Sequence, residues 1–423
     1  MKYNLAIEKS ITALEMISDD KELRAALTHW LQFPDILPPF FTKKFRHIVL
    51  SELLEGYIEP KKIKDEVVVA EDEKEYQLKL PLIWDDLPYP PPQKWDFTFI
   101  DLFAGIGGFR QAFQDVGGKC VFSSEWDKYA KKTYEANYGE TPYGDIRKIK
   151  KNEIPNHDVL CAGFPCQPFS LAGVSKKNSL GRKHGFDDET QGTLFFEIKE
   201  ILRIKRPKAF MLENVKNLLS HNKGETFEVI RHTLEDILGY VINWRVVDGA
   251  KWVPQHRERI FIVGYDPNQI KIRKEKIVIP ESPEPEYNYP TLASIIHKRL
   301  SGYTLGPGTW NTLERHKANH DAKGNGFGYG IHNFPIADDT VTRTISARYH
   351  KDGAEILIAQ KGDRPRRLSV EEAMQLQGYD PERLIFPVSK TQAYRQIGNS
   401  VVVPAIRSTA NEIANILKMR DLK

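Results

Sequence analysis

The sequence predicts an α/β protein, an open sheet with helices whose chemistry sits at the carboxyl ends of the strands. Three observations lead there. From Phe97 onward, strand-like runs, glycine turns and helical segments alternate, the rhythm of βαβ units. Ala104-Gly105-Ile106-Gly107-Gly108 follows one such run and opens a helix, where these sheets bind ligands. Gly163-Phe164-Pro165-Cys166-Gln167-Pro168-Phe169-Ser170 follows the apolar run Asp158–Cys161. A thiol in a rigid loop at a strand end is a candidate nucleophile. Most free cysteines are small buried hydrophobes, but two flanking prolines and a glycine argue for a surface loop instead.

Composition narrows the class. A chain of 423 residues can hold two or three domains and a large core. Its hydrophobic content of 40% and charged content of 28% are ordinary for a globular protein. No apolar run is long enough to span a bilayer, and the amino terminus shows no secretory pattern. A cytoplasmic protein with no membrane role is expected. The three cysteines, Cys120, Cys161 and Cys166, lack paired spacing, which argues against disulfides and against a metal site. A reducing compartment keeps a thiol nucleophile available. The net charge of +4 permits a polyanionic partner without requiring one.

Residues up to Glu75 read as helical. Leu23, Leu27, Trp30 and Leu31 share one face, with Asp19 or Asp20 as cap, and Phe45, Ile48, Val49, Leu53 and Leu54 suggest another helix. Pro81, Pro88, Pro90, Pro91 and Pro92 mark an extended linker. Phe97–Leu102 reads as a strand, Phe109–Asp115 as a helix and Lys119–Ser123 as a second strand. The glycine turn lacks the third spaced glycine of a dinucleotide fingerprint. Glu125, about twenty residues beyond it, suits ribose hydroxyls. Trp126 could stack on an adenine, and Asp145 could accept from its amine. The plainer readings are a half-buried aromatic and a helix cap. A nucleoside such as S-adenosylmethionine fits better than a dinucleotide.

Leu171–Asp188 is a basic loop. Thr193–Ile204 reads as a helix, and the strand Lys208–Leu212 ends in Glu213-Asn214-Val215. A carboxylate there is partly desolvated, which raises its pKa; the plainer reading has Asn214 capping the next helix. In Gln255-His256-Arg257-Glu258-Arg259, two arginines one residue apart can point the same way and meet an anion or a base edge. Pro280–Pro290 forms a second break. Beyond it lie the glycine-rich Lys323–Gly330 and the run Thr342–Tyr349, which reads as a DNA-contacting strand or a solvated sheet. Gln396–Pro404 leads into a closing helix, Ala405–Leu417.

Together these blocks resemble the cytosine-C5 DNA methyltransferase family: Asp101–Gly108, Gly163–Gln167, Glu213–Val215, Gln255–Arg259 and Gly398–Val402, in the family's order. The resemblance covers roughly Phe97 to the end. Ser170–Phe196 and Lys323–Gly330 point to the bacterial Dcm-like branch. It implies a Rossmann-like, S-adenosylmethionine-dependent methyltransferase domain with a smaller target-recognition domain and an N-terminal helical extension. On that division, residues 1–75 are the helical region, 76–95 the linker and 96–287 the catalytic domain, completed by 399–423. Residues 288–370 are the recognition domain and 371–398 a hinge.

The implied cofactor, S-adenosylmethionine, would meet Phe103, Gly105, Gly107, Glu125, Trp126, Asp145, Ile146, Pro165, Leu194, Asn399 and Ser400. The implied catalytic residues are Cys166, Glu213, Arg257 and Arg259. Double-stranded DNA would meet Ser170, Lys176, Lys177, Arg182, Lys323, Asn325, Arg343 and Arg348, with the target cytosine flipped out. The resemblance implies a restriction–modification or orphan modification enzyme. A cognate nuclease, where there is one, would act without a stable complex. The Dcm-like branch implies CC(A/T)GG, or a relative such as CCNGG, as the target. Two alternatives are a transfer-RNA cytosine methyltransferase and a non-catalytic DNA-binding protein on the same fold. Every matched block lies after Pro92, so truncation up to Glu75 is expected to leave the chemistry in place.

Overall fold

The computed structural model describes residues 2–15, 22–33, 35–41, 87–165, 194–324 and 329–421. Two helices come first, α1 (Lys2–Glu15) and α2 (Leu23–Gln32). The βα alternation follows: β1 (Phe97–Leu102), α3 (Gly108–Asp115), β2 (Gly118–Ser124), α4 (Lys128–Tyr138), β3 (Val159–Gly163), α5 (Leu194–Lys205), β4 (Ala209–Val215), α6 (Glu225–His232), β5 (Val241–Asp248) and β6 (Glu258–Tyr265). These six strands form one sheet in the order β2-β1-β3-β4-β6-β5. The first four run parallel, and β6 lies antiparallel between β4 and β5. The residues of β2 are all buried, as are most of those of β1, β3 and β4. A parallel sheet covered on both faces needs such nearly continuous apolar runs.

Local signals set several boundaries. The Asp127 carboxylate accepts from the N–H groups of Tyr129 and Ala130 and starts α4, which ends at Gly139 in the left-handed region. Strand β4 runs three residues further than the sequence suggests, so Glu213 sits inside its last turn of ladder rather than beyond it.

Past residue 290 come α7 (Leu292–Ile295), α8 (Pro307–Asp321), β7 (Ile331–His332), α9 (Tyr349–Asp352), β8 (Leu357–Gln360) and β9 (Asp363–Arg367). The last three strands make a small sheet over a small cluster of Leu305, Leu313 and Leu357. Helix α8 buries only Leu313. Three helices close the chain: α10 (Val370–Gln375), α11 (Lys390–Asn399) and α12 (Val403–Asp421). Helix α12 returns to the large sheet. Ala405, Ile406 and Ala410 share a core with Ala112 and Phe113 of α3, and Arg407 Nε lies 3.0 Å from Asp115.

Three expectations change. Thr342–Tyr349 is not a strand. Its ladder is a single bridge, Thr342 to Gln255, and the segment then turns into α9. The hydroxyls of Thr342 and Thr344 donate to the carbonyls of Pro254 and His256, so the segment is a strap tied across that loop. The proline-rich stretch is not free at its downstream end either: Tyr89 is buried and donates its N–H to the Asn137 carbonyl at 3.0 Å.

Third, α2 is not a free extension but packs on the large sheet. Leu23, Leu27, Trp30 and Leu31 join Ile100, Leu102 and Phe122 of the sheet in one core. Polar groups fix its register. His29 Nε2 accepts from the Ser123 N–H at 3.0 Å on the β2 edge. Arg110 donates to Gln32 Oε1 at 2.9 Å and to Glu140 at 3.1 Å. Burial raises the pKa of Glu140, but the Arg110 charge and the His29 and Ser123 hydrogen bonds overcome it and hold the carboxylate down at about 2. The candidate caps Asp19 and Asp20, and the second helix read at Phe45–Leu54, lie outside the described residues.

Candidate active site

One cavity of about 510 Å³ opens at the carboxyl ends of β1, β2, β3 and β4, within the roughly 300–1,000 Å³ usual for small-molecule sites. Its floor is the turn between β1 and α3. Phe103 takes φ of 55°, and Gly105 donates its N–H to Glu125 Oε2 at 2.8 Å. The other oxygen of Glu125 accepts from the Asp127 N–H at 2.8 Å. These two bonds aim the carboxylate along the cavity wall, where burial raises its pKa against the pull of the same amides. Trp126 stands beside it with 77% of its surface exposed. An indole left that bare at a cavity mouth is an unused stacking face.

The expected cofactor residues Phe103, Gly105, Glu125, Trp126, Asp145, Ile146, Pro165, Leu194, Asn399 and Ser400 all line this cavity. Gly107 does not; it lies behind the wall, where its carbonyl accepts from the Tyr138 hydroxyl at 2.9 Å. Asp145 lines the cavity in the plainer of its two expected roles. Its carboxylate caps the turn Ile146–Lys148 and holds the Arg147 guanidinium, and the Arg147 hydrogen bonds lower its pKa.

At the β3–β4 side, Glu213 is 8% exposed. Burial raises its pKa, with the Arg259 and Arg257 charges pulling the other way. Arg259 Nε lies 3.1 Å from Glu213 Oε1. Asn214 caps no helix; its amide donates to the Phe164 carbonyl at 2.9 Å and so anchors the loop that leads to Cys166. The two arginines share a side of the chain, as their spacing predicts, but do different work. Arg259 faces the carboxylate. Arg257 is buried and donates to the carbonyls of Ile345 and Gly398, each at 3.1 Å, and to that of Ser400. Burial, with the Arg259 charge, lowers its pKa to about 9. It is a clamp between the strap and the end of α11 rather than a free anion contact.

Cys166, Ser170, Lys176, Lys177, Arg182 and Asn325 lie outside the described residues. Lys323, Arg343 and Arg348 are exposed, away from the cavity lining. Sequence reasoning missed Gln392, Arg395 and Gln396, which also line the mouth. They stand seven, four and three residues before Asn399 on α11. Helical periodicity counted back from Asn399 would have found them.

The pattern of the family described as C-5 cytosine-specific DNA methylase matches residues 97–415. The chain belongs to that family. It is therefore a cytosine-C5 DNA methyltransferase. Among its relatives, the type II methyltransferase M.SsoII of Shigella sonnei is 48% identical over 336 residues, 79% of this chain and 84% of that protein. The DNA-cytosine methyltransferase of Escherichia coli strain K12 is 45% identical over 376 residues, 77% of this chain and 79% of that protein. The crystal structure of the Dnmt2 methyltransferase of S. pombe superposes with a TM-score of 0.57 at 16% identity, covering 77% of this chain and 99% of that one. At that identity the likeness speaks for the fold alone.

Methyltransferases of this family depend on S-adenosylmethionine, and the cavity fits that group. An exposed indole suits the adenine. Glu125 keeps lone pairs for ribose hydroxyls, while in the turn at Ala104–Gly108 the amides of Ala104, Gly105 and Gly107 already donate to Ser124, Glu125 and Ala104. Among the described residues no cluster of His, Cys, Asp or Glu could hold a metal ion, and no helix is long and apolar enough to cross a membrane.

Proposed function

We propose that the chain methylates C5 of a cytosine flipped out of a short duplex DNA site, with Cys166 as nucleophile and the described cavity as the S-adenosylmethionine pocket. The observation that carries this reading is the pair of buried Glu213 and half-buried Arg259 lining the cavity, next to the loop that leads to Cys166. When bound, S-adenosylmethionine supplies an electrophilic methyl group, and C5 receives it.

Cytosine C5 is too poor a nucleophile by itself. Attack of the Cys166 thiolate on C6 forms a carbon–sulfur bond and pushes electron density towards C5 and N3. Glu213, with its pKa raised by burial, holds a proton against N3 and stabilises the ring as aromaticity is lost. Arg259 keeps that carboxyl oriented and meets the base from the other side. After methylation, a base removes the C5 proton, the C6–sulfur bond breaks and the thiolate leaves. An ordinary thiol, of pKa ~8.5, is only slightly ionised at pH 7, so the loop must lower that value.

Flipping leaves recognition to the region of residues 288–370, where Lys323, Asn325, Arg343 and Arg348 are the base- and phosphate-reading candidates, helped by Ser170, Lys176, Lys177 and Arg182. Arg343 and Arg348 suit guanine O6 and N7. The proposed target is CC(A/T)GG or a relative such as CCNGG. The proposed setting is bacterial cytoplasm, beside a cognate nuclease or as an orphan enzyme. Bisulfite sequencing of DNA from an unmethylated host expressing the chain tests both parts. Methylation outside any CC…GG frame overturns the target alone. Methyl transfer to transfer RNA but not to duplex DNA overturns the substrate. Absence of a covalent adduct with 5-fluorocytosine DNA overturns the nucleophilic mechanism.

A further inference from the structure

We infer that Glu22, at the start of α2, is a positioning residue for the cofactor pocket, supplied from outside the part of the chain that carries the family pattern. That pattern begins at residue 97, yet the back of the pocket rests on α2. Both oxygens of the Glu22 carboxylate accept from the Gly144 N–H, at 3.2 and 3.1 Å. Gly144 lines the cavity and leads straight into Asp145 and Ile146, which line it too. Its carbonyl in turn accepts from the Ser124 hydroxyl at 2.8 Å. The peptide is thus gripped from both ends, by the N-terminal region on one side and by the end of β2 on the other.

The approach is close enough that a side chain on Gly144 would push the Glu22 carboxylate aside. A Cβ on Gly144 would come within 2.6 Å of Glu22 Oε1. The neighbouring peptides are held the same way. Thr141 donates its N–H to Thr28 Oγ1 at 3.0 Å, and the Tyr143 hydroxyl donates to the Pro39 carbonyl at 2.7 Å. Tyr143 also bridges to Ser124, and Glu125 donates its N–H to the Tyr143 carbonyl at 2.8 Å. One short segment, Thr141–Asp145, therefore carries restraints from α2 to both the Glu125 and the Ile146 sides of the pocket. Glu22 is only partly exposed, at 22% of its side chain, and Lys131 Nζ is 4.0 Å from it. Its carboxylate meets this amide and makes no side-chain cap to its own helix.

The inference rests on the reading of this cavity as the cofactor's, and the test separates the two. S-adenosylhomocysteine binding is measured by calorimetry in the full chain, its Glu22→Ala and Glu22→Gln variants and Gly144→Ala, with duplex affinity and melting temperature alongside. Glu22→Ala should weaken binding about tenfold, the scale of one charge-assisted hydrogen bond. In turnover the loss should fall on KM for S-adenosylmethionine rather than on kcat. Glu22→Gln keeps an oxygen that accepts from Gly144 and should stay within about twofold. Gly144→Ala displaces the same carboxylate from the other side and should resemble Glu22→Ala even where that variant folds poorly. Parental affinity in both Glu22→Ala and Gly144→Ala overturns the positioning role while leaving the pocket. Equal losses of cofactor binding, duplex binding and melting temperature in Ala and Gln overturn it as well, in favour of a merely structural contact. A parent chain that binds no S-adenosylhomocysteine overturns the pocket reading and this inference with it.

Discussion

Around the turn at Phe103–Gly108 the backbone shapes the cavity wall; across residues 288–370, the proposed recognition region, exposed side chains would have to do the reading. The cofactor side is a sheet end with nearly every strand residue buried, braced by α2 and α12. The proposed recognition side rests on a small sheet and a cluster of three buried leucines, under a helix that buries a single side chain. The contrast suits what each would bind under the proposed function. A cofactor of fixed shape rewards a preorganised wall. A DNA sequence is read by polar groups that must first lie in water.

The sharpest break between the two sides is Cys166→Ser. Turnover should fall by more than about 10³-fold, as in other enzymes that lose their nucleophile. Duplex affinity in a gel-shift titration should stay within about threefold, because phosphate contacts dominate it. Turnover within tenfold of the parent would falsify the assignment of the nucleophile.

Trp30→Ala comes next. Trp30 is fully buried between α2 and the sheet, and stacks on Phe41 with ring centroids 5.0 Å apart. Its loss should cost about 3–5 kcal/mol of stability, read from the denaturation midpoint of the full chain. For the same reason, truncation up to Glu75 should lower stability and cofactor affinity rather than leave the chemistry in place. A truncated chain with parental melting and cofactor binding would show that α2 merely decorates the surface.

The last two substitutions should mirror each other. Arg348→Ala should lose ~1–3 kcal/mol of discrimination between cognate and mismatched duplexes, with S-adenosylhomocysteine affinity unchanged. Trp126→Ala should weaken the cofactor by about 1 kcal/mol and leave discrimination alone. Competition gel shifts and calorimetry on both variants measure the pair. An effect crossing from one side to the other would mean that the two sides are not separately built.

The same contrast decides what the sequence makes legible. Strand ends, a glycine turn and a carboxylate spaced after it leave positional marks, so Glu125, Trp126 and Glu213 could be named before any coordinates, and Phe103 followed only from the family resemblance. Asp145 could not be settled, because its partner Arg147 is two residues away and equally suits a cap. The strap at Thr342–Tyr349 reads as a strand in sequence because hydroxyls and arginines suit both a wet ladder and a loop whose hydroxyls donate to backbone. Glu22 left no mark at all. Its contact is to a peptide N–H at Gly144, and nothing in either residue's neighbourhood announces a bond across 122 positions.

The clamp at Arg257 has a thermodynamic consequence. Gly398 lies so close to the strap that a side chain there would overlap the Ser346 carbonyl, and Arg257 holds carbonyls on both sides of the gap. Asn399 and Ser400, next in the chain, line the cofactor cavity. Were duplex binding to move the strap, the lip of the cavity would move with it. Linkage makes such an exchange symmetrical: whatever factor duplex adds to cofactor affinity, cofactor must add to duplex affinity. Both halves of that cycle can be titrated, and Gly398→Ala should pull the common factor towards one.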